Sequence, residues 1–137
     1  MKKLSGGNVI EVPSKSLHVG DVLYLEENEE IPCDCVVLYS SNANGICYIQ
    51  TANIDGETNL KLRCAPALTQ KKLAKLKNYE SIANAIHNME AMTIECPPPN
   101  SRIYDFPAVL RQGEQSTALD ASSLFLQVCH LCNTSYM

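Results

Sequence analysis

Short apolar runs separated by turn residues fill most of the chain, and alternation with a period of two recurs more often than helical three- and four-residue spacing. Val9-Ile10-Glu11-Val12 reads as a first strand, closed by Pro13. Gly20-Asp21 then turns the chain into Val22-Leu23-Tyr24-Leu25, whose β-branched and aromatic content favours a second strand. The most hydrophobic run, residues 34–40, predicts the central strand of the core, with Asp34 in a turn or capping role at its start. A polar, glycine-ended hairpin loop over 40–45 leads into Ile46-Cys47-Tyr48-Ile49-Gln50, and Leu60-Lys61-Leu62-Arg63 leads away with alternating apolar and basic side chains. Residues 51–61 are therefore expected to form a loop between two strands.

After Arg63 the period changes. Residues 68–92 contain no Pro or Gly and are rich in the helix formers Lys, Ala, Leu and Glu. Leu73, Leu76, Ala83, Ile86 and Met89 recur at helical spacing with a shift near Tyr79, which predicts a helical insertion made of one interrupted helix or two short ones. Its apolar stripe is expected to pack on the β body, and its early lysines to oppose the helix macrodipole. Strand character resumes at 93–96, before Pro97-Pro98-Pro99 bars a central strand. Residues 103–106 and 109–111 read as a strand pair around Pro107, 112–118 as a mobile polar loop, and 124–129 as the last strand. The sum is a mainly β fold, a distorted β-sandwich or jelly roll of roughly six to eight short strands with the 68–92 insertion to one side.

Composition narrows the function classes. The 137 residues are expected to form one domain with its own core. Eleven basic against 15 acidic residues, a formal charge of −4, make no electrostatic case for nucleic acid. The acidic cluster at 26–30 and the lysines Lys71, Lys72, Lys75 and Lys77 read as solvated faces. No stretch approaches the roughly 18 apolar residues of a membrane helix, and no apolar segment near the start makes a signal peptide, so the chain reads as soluble. Seven cysteines, an odd number without framework spacing, fit a reducing, cytosolic setting. Cys129 and Cys132 have the spacing of a zinc pair, but no second such pair exists, so no metal site is predicted. Cys35 and Cys47 lie in apolar runs, as small hydrophobes do. His18 reads as structural or exposed, and Asn133-Thr134-Ser135 as a glycosylation acceptor without use in the cytosol.

The densest polar chemistry lies at Asn53-Ile54-Asp55-Gly56-Glu57-Thr58-Asn59. Asp55-Gly56 is first a turn signal, because both residues tolerate positive φ. The same atoms also suit a site: Gly56, without a Cβ, admits close backbone approach, and Glu57 is able to hold or deprotonate a water. These residues taken alone leave both readings open.

The longer string resembles a known family. Val19-Gly20-Asp21-Val22, Ile31-Pro32-Cys33-Asp34 and Asp55-Gly56-Glu57-Thr58-Asn59-Leu60-Lys61 resemble, in order and spacing, the actuator domain of P-type ATPases. The Asp-Gly-Glu-Thr form followed by Asn-Leu-Lys is similar to the lipid-flipping P4 branch, whereas cation pumps usually carry Thr-Gly-Glu-Ser there. The resemblance continues through 96–106, Ser123-Leu124-Phe125-Leu126 and Cys132-Asn133-Thr134. It implies a cytosolic actuator domain, an excised piece of a multi-pass membrane ATPase, lying on the cytosolic face of a membrane. Glu57 would drive hydrolysis of an aspartyl phosphate in a separate domain, with Asp55, Gly56, Thr58 and Asn59 positioning the loop and letting it approach the phosphate. Implied partners are the phosphorylation and nucleotide-binding domains of the parent chain, a membrane phospholipid and an accessory β-subunit. ATP and Mg2+ would serve the parent, with no cofactor bound by this domain. A regulatory or structural module, as in protist P4-like ATPases fused to a guanylate cyclase, is the competing reading. Gln127-Val128 and Cys132 stand where the family commonly has Arg-Gly and Arg, departures that bear on inter-domain contacts.

Overall fold

The structure is a computed structural model that describes residues 1–76, 78–89, 91–102 and 105–132. Its regular elements, in chain order, are β1 (Lys2–Ser5), β2 (Asn8–Glu11), β3 (Leu23–Tyr24), β4 (Cys35–Val36), β5 (Ile46–Gln50), α1 (Ala52–Asp55), β6 (Leu60–Cys64), α2 (Ala67–Leu73), α3 (Tyr79–Asn88), β7 (Met92–Glu95), β8 (Ala108–Gln112), β9 (Gln115–Leu119), β10 (Leu124–Phe125) and β11 (His130–Cys132). The fold is mainly β, as the alternation predicts. The described strands pair antiparallel in the orders β2-β1-β3, β10-β4, β11-β5-β6 and β7-β8-β9.

The principal core lies between the β11-β5-β6 sheet and the β10-β4 ladder. Leu25, Ile31, Val37, Cys47, Ile49, Phe125, Cys129 and Leu131 are buried there together. Removing this apolar surface from water is the main term holding the two layers together. A second cluster joins Tyr39 to Leu73 and Ile82 of the two helices, and a third joins Ala108, Leu110 and Leu119 of the β7-β8-β9 sheet. The interrupted helical pattern is thus realised as α2 and α3, with Asn78 capping α3 by accepting from the Ser81 N–H at 2.8 Å. The apolar stripe packs inward as expected.

Several expectations are corrected. The first seven residues carry an additional strand, β1, joined to β2 by Gly6-Gly7 with φ of 57° and 83°, the backbone of a two-residue hairpin. Residues 34–40 do not form one long strand. Only Cys35–Val36 pairs, with β10, and farther along side chains of α2 take the partner's place: the Thr69 hydroxyl donates to Leu38 O at 2.6 Å, and Gln70 bonds both backbone groups of Ser40 at 2.9 Å. The 40–45 segment is consequently a crossing between sheets and not a hairpin. Lys71 and Lys72 fall in the last turn of α2, where cations suit the dipole, and Lys72 Nζ donates to Gln112 and Gln115. Of residues 112–118, expected as a mobile loop, Gln112 ends β8 and 115–118 belong to edge strand β9, which is polar because one face meets solvent; Gly113, at φ 58°, makes the turn. Leu110 pairs with Ile94 and Thr117 instead of with residues before Pro107; of that expected partner strand, Ile103 and Tyr104 lie outside the described residues, as do Lys77 and the Asn133-Thr134-Ser135 sequence. The expected last strand breaks after Phe125, and the chain turns at Val128 before β11 joins β5.

Candidate functional site: the loop between the fifth and sixth strands

β5 and β6 pair from Ile46↔Cys64 to Gln50↔Leu60, so residues 51–59 form a loop projecting from the end of a five-pair ladder. Its first half is a single helical turn. Thr51 is buried at the base, and its carbonyl accepts the N–H groups of Ile54 and Asp55 at 2.9 and 3.1 Å. Gly56 ends the turn at φ 75°, the left-handed geometry that glycine favours after a helix, and a Cβ there would meet open space. The Asp-Gly turn chemistry is therefore present, in a longer loop than a two-residue hairpin.

Asp55 organises this loop. Its carboxylate accepts from the Thr51 hydroxyl at 3.0 Å and from the Glu57 N–H at 3.0 Å, linking the buried base to the loop tip. Asn53 reaches the other way, its amide donating to Val128 O at 3.1 Å. The Glu57 side chain is half exposed and forms an ion pair with Lys61, four residues on in β6. Thr58 and Asn59 are exposed beside it. The structure thus brings Asp55, Gly56 and Glu57 into one braced turn and sets Thr58 and Asn59 on its outgoing arm.

β6 is inverted relative to an ordinary surface strand. Residues opposite one another in a ladder share a face, so Lys61 and Arg63 lie on the side of the buried Ile49 and Cys47. Leu60 and Leu62 face outward at 41% and 52% exposure, with Ile54 of the loop at 36%. Arg63 on the inner side donates through Nε to Leu124 O at 3.1 Å, tying the strand to the neighbouring ladder. Burial pushes the Cys47 thiol of β5, and the Cys35 thiol of the neighbouring β10-β4 ladder, up to about 12, so neither is a nucleophile. Two open grooves of about 510 and 540 Å³ meet at Pro107 and Leu119, and neither includes a residue of the Glu57 loop. Sequence reasoning singled out Glu57 and its neighbours but gave no role to Lys61 or Thr51. Each lies four residues from an acid, and that spacing was the signal available.

Among the described residues no helix is long and apolar enough to cross a membrane. The family sequence model for the P-type ATPase actuator domain matches residues 1–84. Over 133 residues the chain is 34% identical to the phospholipid-transporting ATPase IC of Xenopus tropicalis, covering 97% of this chain and 10% of that protein. It is 37% identical over 120 residues to the human phospholipid-transporting ATPase IK, covering 88% and 9%, and 34% identical over 122 residues to phospholipid-transporting ATPase 1 of Arabidopsis thaliana, covering 89% and 10%. The chain thus spans about a tenth of the length of these relatives. The matched segment holds the whole braced loop, from Thr51 through Glu57 to Lys61. The chain belongs to the P-type ATPase actuator-domain family.

Proposed function

We propose that this chain is the cytosolic actuator domain of a phospholipid-translocating P4-type ATPase, and that Glu57 drives hydrolysis of the aspartyl-phosphate intermediate. The observation that carries the reading is the placement of Glu57: a half-exposed carboxylate at the tip of a loop braced from below by buried Thr51 through Asp55. Similarity to phospholipid-transporting ATPases supports the substrate class.

Hydrolysis of an acyl phosphate needs a water in line with the breaking bond and a group to take its proton. The water oxygen bonds to phosphorus while the bond from phosphorus to the aspartyl oxygen breaks. The aspartate leaves as a carboxylate, inorganic phosphate is released, and Glu57 holds the proton until solvent takes it. Gly56 lets the backbone approach the phosphate, and Thr58 and Asn59 contact the phosphorylation domain. A carboxylate kept permanently beside a phosphoryl group would be repelled and would discharge the intermediate before transport. A loop on a β body that rotates into place in one state avoids both.

The partners on this reading are the phosphorylation and nucleotide-binding domains of the parent chain, an accessory β-subunit and the membrane phospholipid. ATP and Mg2+ belong to those other domains. Residues 1–137 contain neither an Asp-Lys-Thr-Gly sequence nor a Gly-rich phosphate loop, so the domain alone hydrolyses no ATP. The test is phosphoenzyme decay in the full-length ATPase, wild type against Glu57→Gln. Decay slowed by about 10²-fold or more, with phosphorylation by ATP intact, is expected when a general base is removed. Equal decay removes Glu57 from the chemistry, and no phosphoenzyme in wild type supports the regulatory module instead.

A further inference from the structure

The group facing Glu57 belongs to no part of the mechanism above. Among the described residues the Glu57 carboxylate forms its ion pair with Lys61. We propose that Lys61 is a positioning residue for Glu57: it holds the carboxylate in one orientation and carries a compensating positive charge with it as the loop meets the phosphorylated aspartate. The inference rests on the reading of Glu57 just given.

Three features support it. The first is rigidity, since Lys61 sits in the β5–β6 ladder opposite Ile49, which is fully buried, so its Cα is fixed by the sheet. Its stem runs on the inner side of the strand and its ammonium emerges at the loop, the usual behaviour of a long basic side chain. The second is division of labour: Asp55 holds the backbone of Glu57 through its N–H, and Lys61 holds the carboxylate. Loop and side chain are therefore aimed by separate contacts.

The third is charge. A carboxylate brought within hydrogen-bonding reach of a phosphoryl group meets like charge, and the repulsion grows as water is excluded. A cation travelling with the carboxylate offsets it. In the undocked domain the same pair is exposed to solvent and adds little to stability.

The experiment compares phosphoenzyme decay in the full-length ATPase for wild type, Glu57→Gln, Lys61→Gln, Lys61→Arg and the double Gln variant. Lys61→Gln is expected to slow decay by about tenfold, the scale of losing one charge-assisted contact, with Lys61→Arg restoring most of the rate. The double variant should decay no more slowly than Glu57→Gln alone, because Lys61 acts through Glu57. Wild-type decay in Lys61→Gln beside slow decay in Glu57→Gln overturns the role of Lys61 and leaves that of Glu57. Multiplied effects in the double variant also overturn it, since Lys61 would then act independently of Glu57. Wild-type decay in Glu57→Gln overturns the underlying reading instead. Thermal unfolding of Lys61→Gln within about 2 °C of wild type separates the effect from misfolding.

Discussion

The side-chain amide of Asn53 donates to the backbone carbonyl of Val128 at 3.1 Å, tying the Glu57 loop to a residue 75 positions later. Val128 stands at φ 65°, a left-handed conformation that is an outlier for a β-branched residue. Both its backbone groups are engaged, because its N–H donates to Ile31 O at 2.9 Å. The turn that breaks the last expected strand is thus held in a strained geometry in which its carbonyl serves the loop.

That strain reverses a familiar order. In an unstrained position Ala is more stable than Gly by about 0.5–1 kcal/mol. At position 128 the left-handed backbone penalises any Cβ by about 1–2 kcal/mol, so Val128→Gly should be more stable than Val128→Ala by about 1 kcal/mol. Both variants delete the side chain and keep both backbone bonds, and denaturant unfolding of the two measures the difference. Ala the more stable would show that the chain does not hold positive φ there.

Gln70 is a buried amide standing in for a missing strand. It accepts from the Ser40 N–H and donates to the Ser40 carbonyl, both at 2.9 Å. Gln70→Leu keeps the volume and leaves two backbone groups unpaired in a buried place, a loss of about 2–4 kcal/mol. The urea midpoint should fall accordingly with the slope unchanged. A loss under about 1 kcal/mol would mean that water replaces the amide.

This same contact explains much of what the sequence hid. The mainly β class, the two-part helical insertion and the loop carrying Glu57 were legible, because each rests on local periodicity and turn residues. The truncation of the 34–40 strand was not, since the partner displacing a neighbouring strand is a side chain 30 residues away. β9 was hidden because Gln115 and Ser116 on a solvent-facing edge read as a loop. At the site, Asp55, Gly56 and Glu57 announce themselves by type, whereas Lys61 is recognised only when the ladder shows which face of β6 it occupies. Leu60 and Leu62 outward and Lys61 and Arg63 inward is an arrangement that alternation alone does not orient.

Thiol reactivity checks the placement of β4 and β5. Burial raises the Cys35 and Cys47 thiols to about 12, and only the thiolate attacks an alkylating agent. At pH 8 roughly one in ten thousand of each is ionised, whereas Cys96 is exposed. Iodoacetamide followed by peptide mass analysis should label Cys96 first, and Cys35 and Cys47 only after denaturant. Labelling of Cys47 at the rate of Cys96 would show that the β5–β6 ladder opens readily, which is incompatible with a rigid support for the loop.

Acid should loosen the first sheet at a defined point. The His18 backbone N–H, at 2.9 Å, and then Lys3 Nζ, at 3.1 Å, hold the Asp21 carboxyl below its ordinary 3.8. A carboxylate whose folded pKa is depressed stabilises the fold above the unfolded pKa, and that contribution is lost as pH falls through the folded value. In this window the unfolded chain binds the additional proton, so stability must fall with pH. Asp21→Asn, unable to ionise, should be less stable than wild type at pH 7, with the gap closing as pH drops below about 4. Lys3→Gln should narrow the same gap by a smaller amount, since the His18 N–H contributes more and remains. Urea midpoints collected from pH 2 to 7 distinguish this from a packing effect, because a gap that stays constant across the series would remove the Asp21 charge from the stability of the β2-β1-β3 sheet.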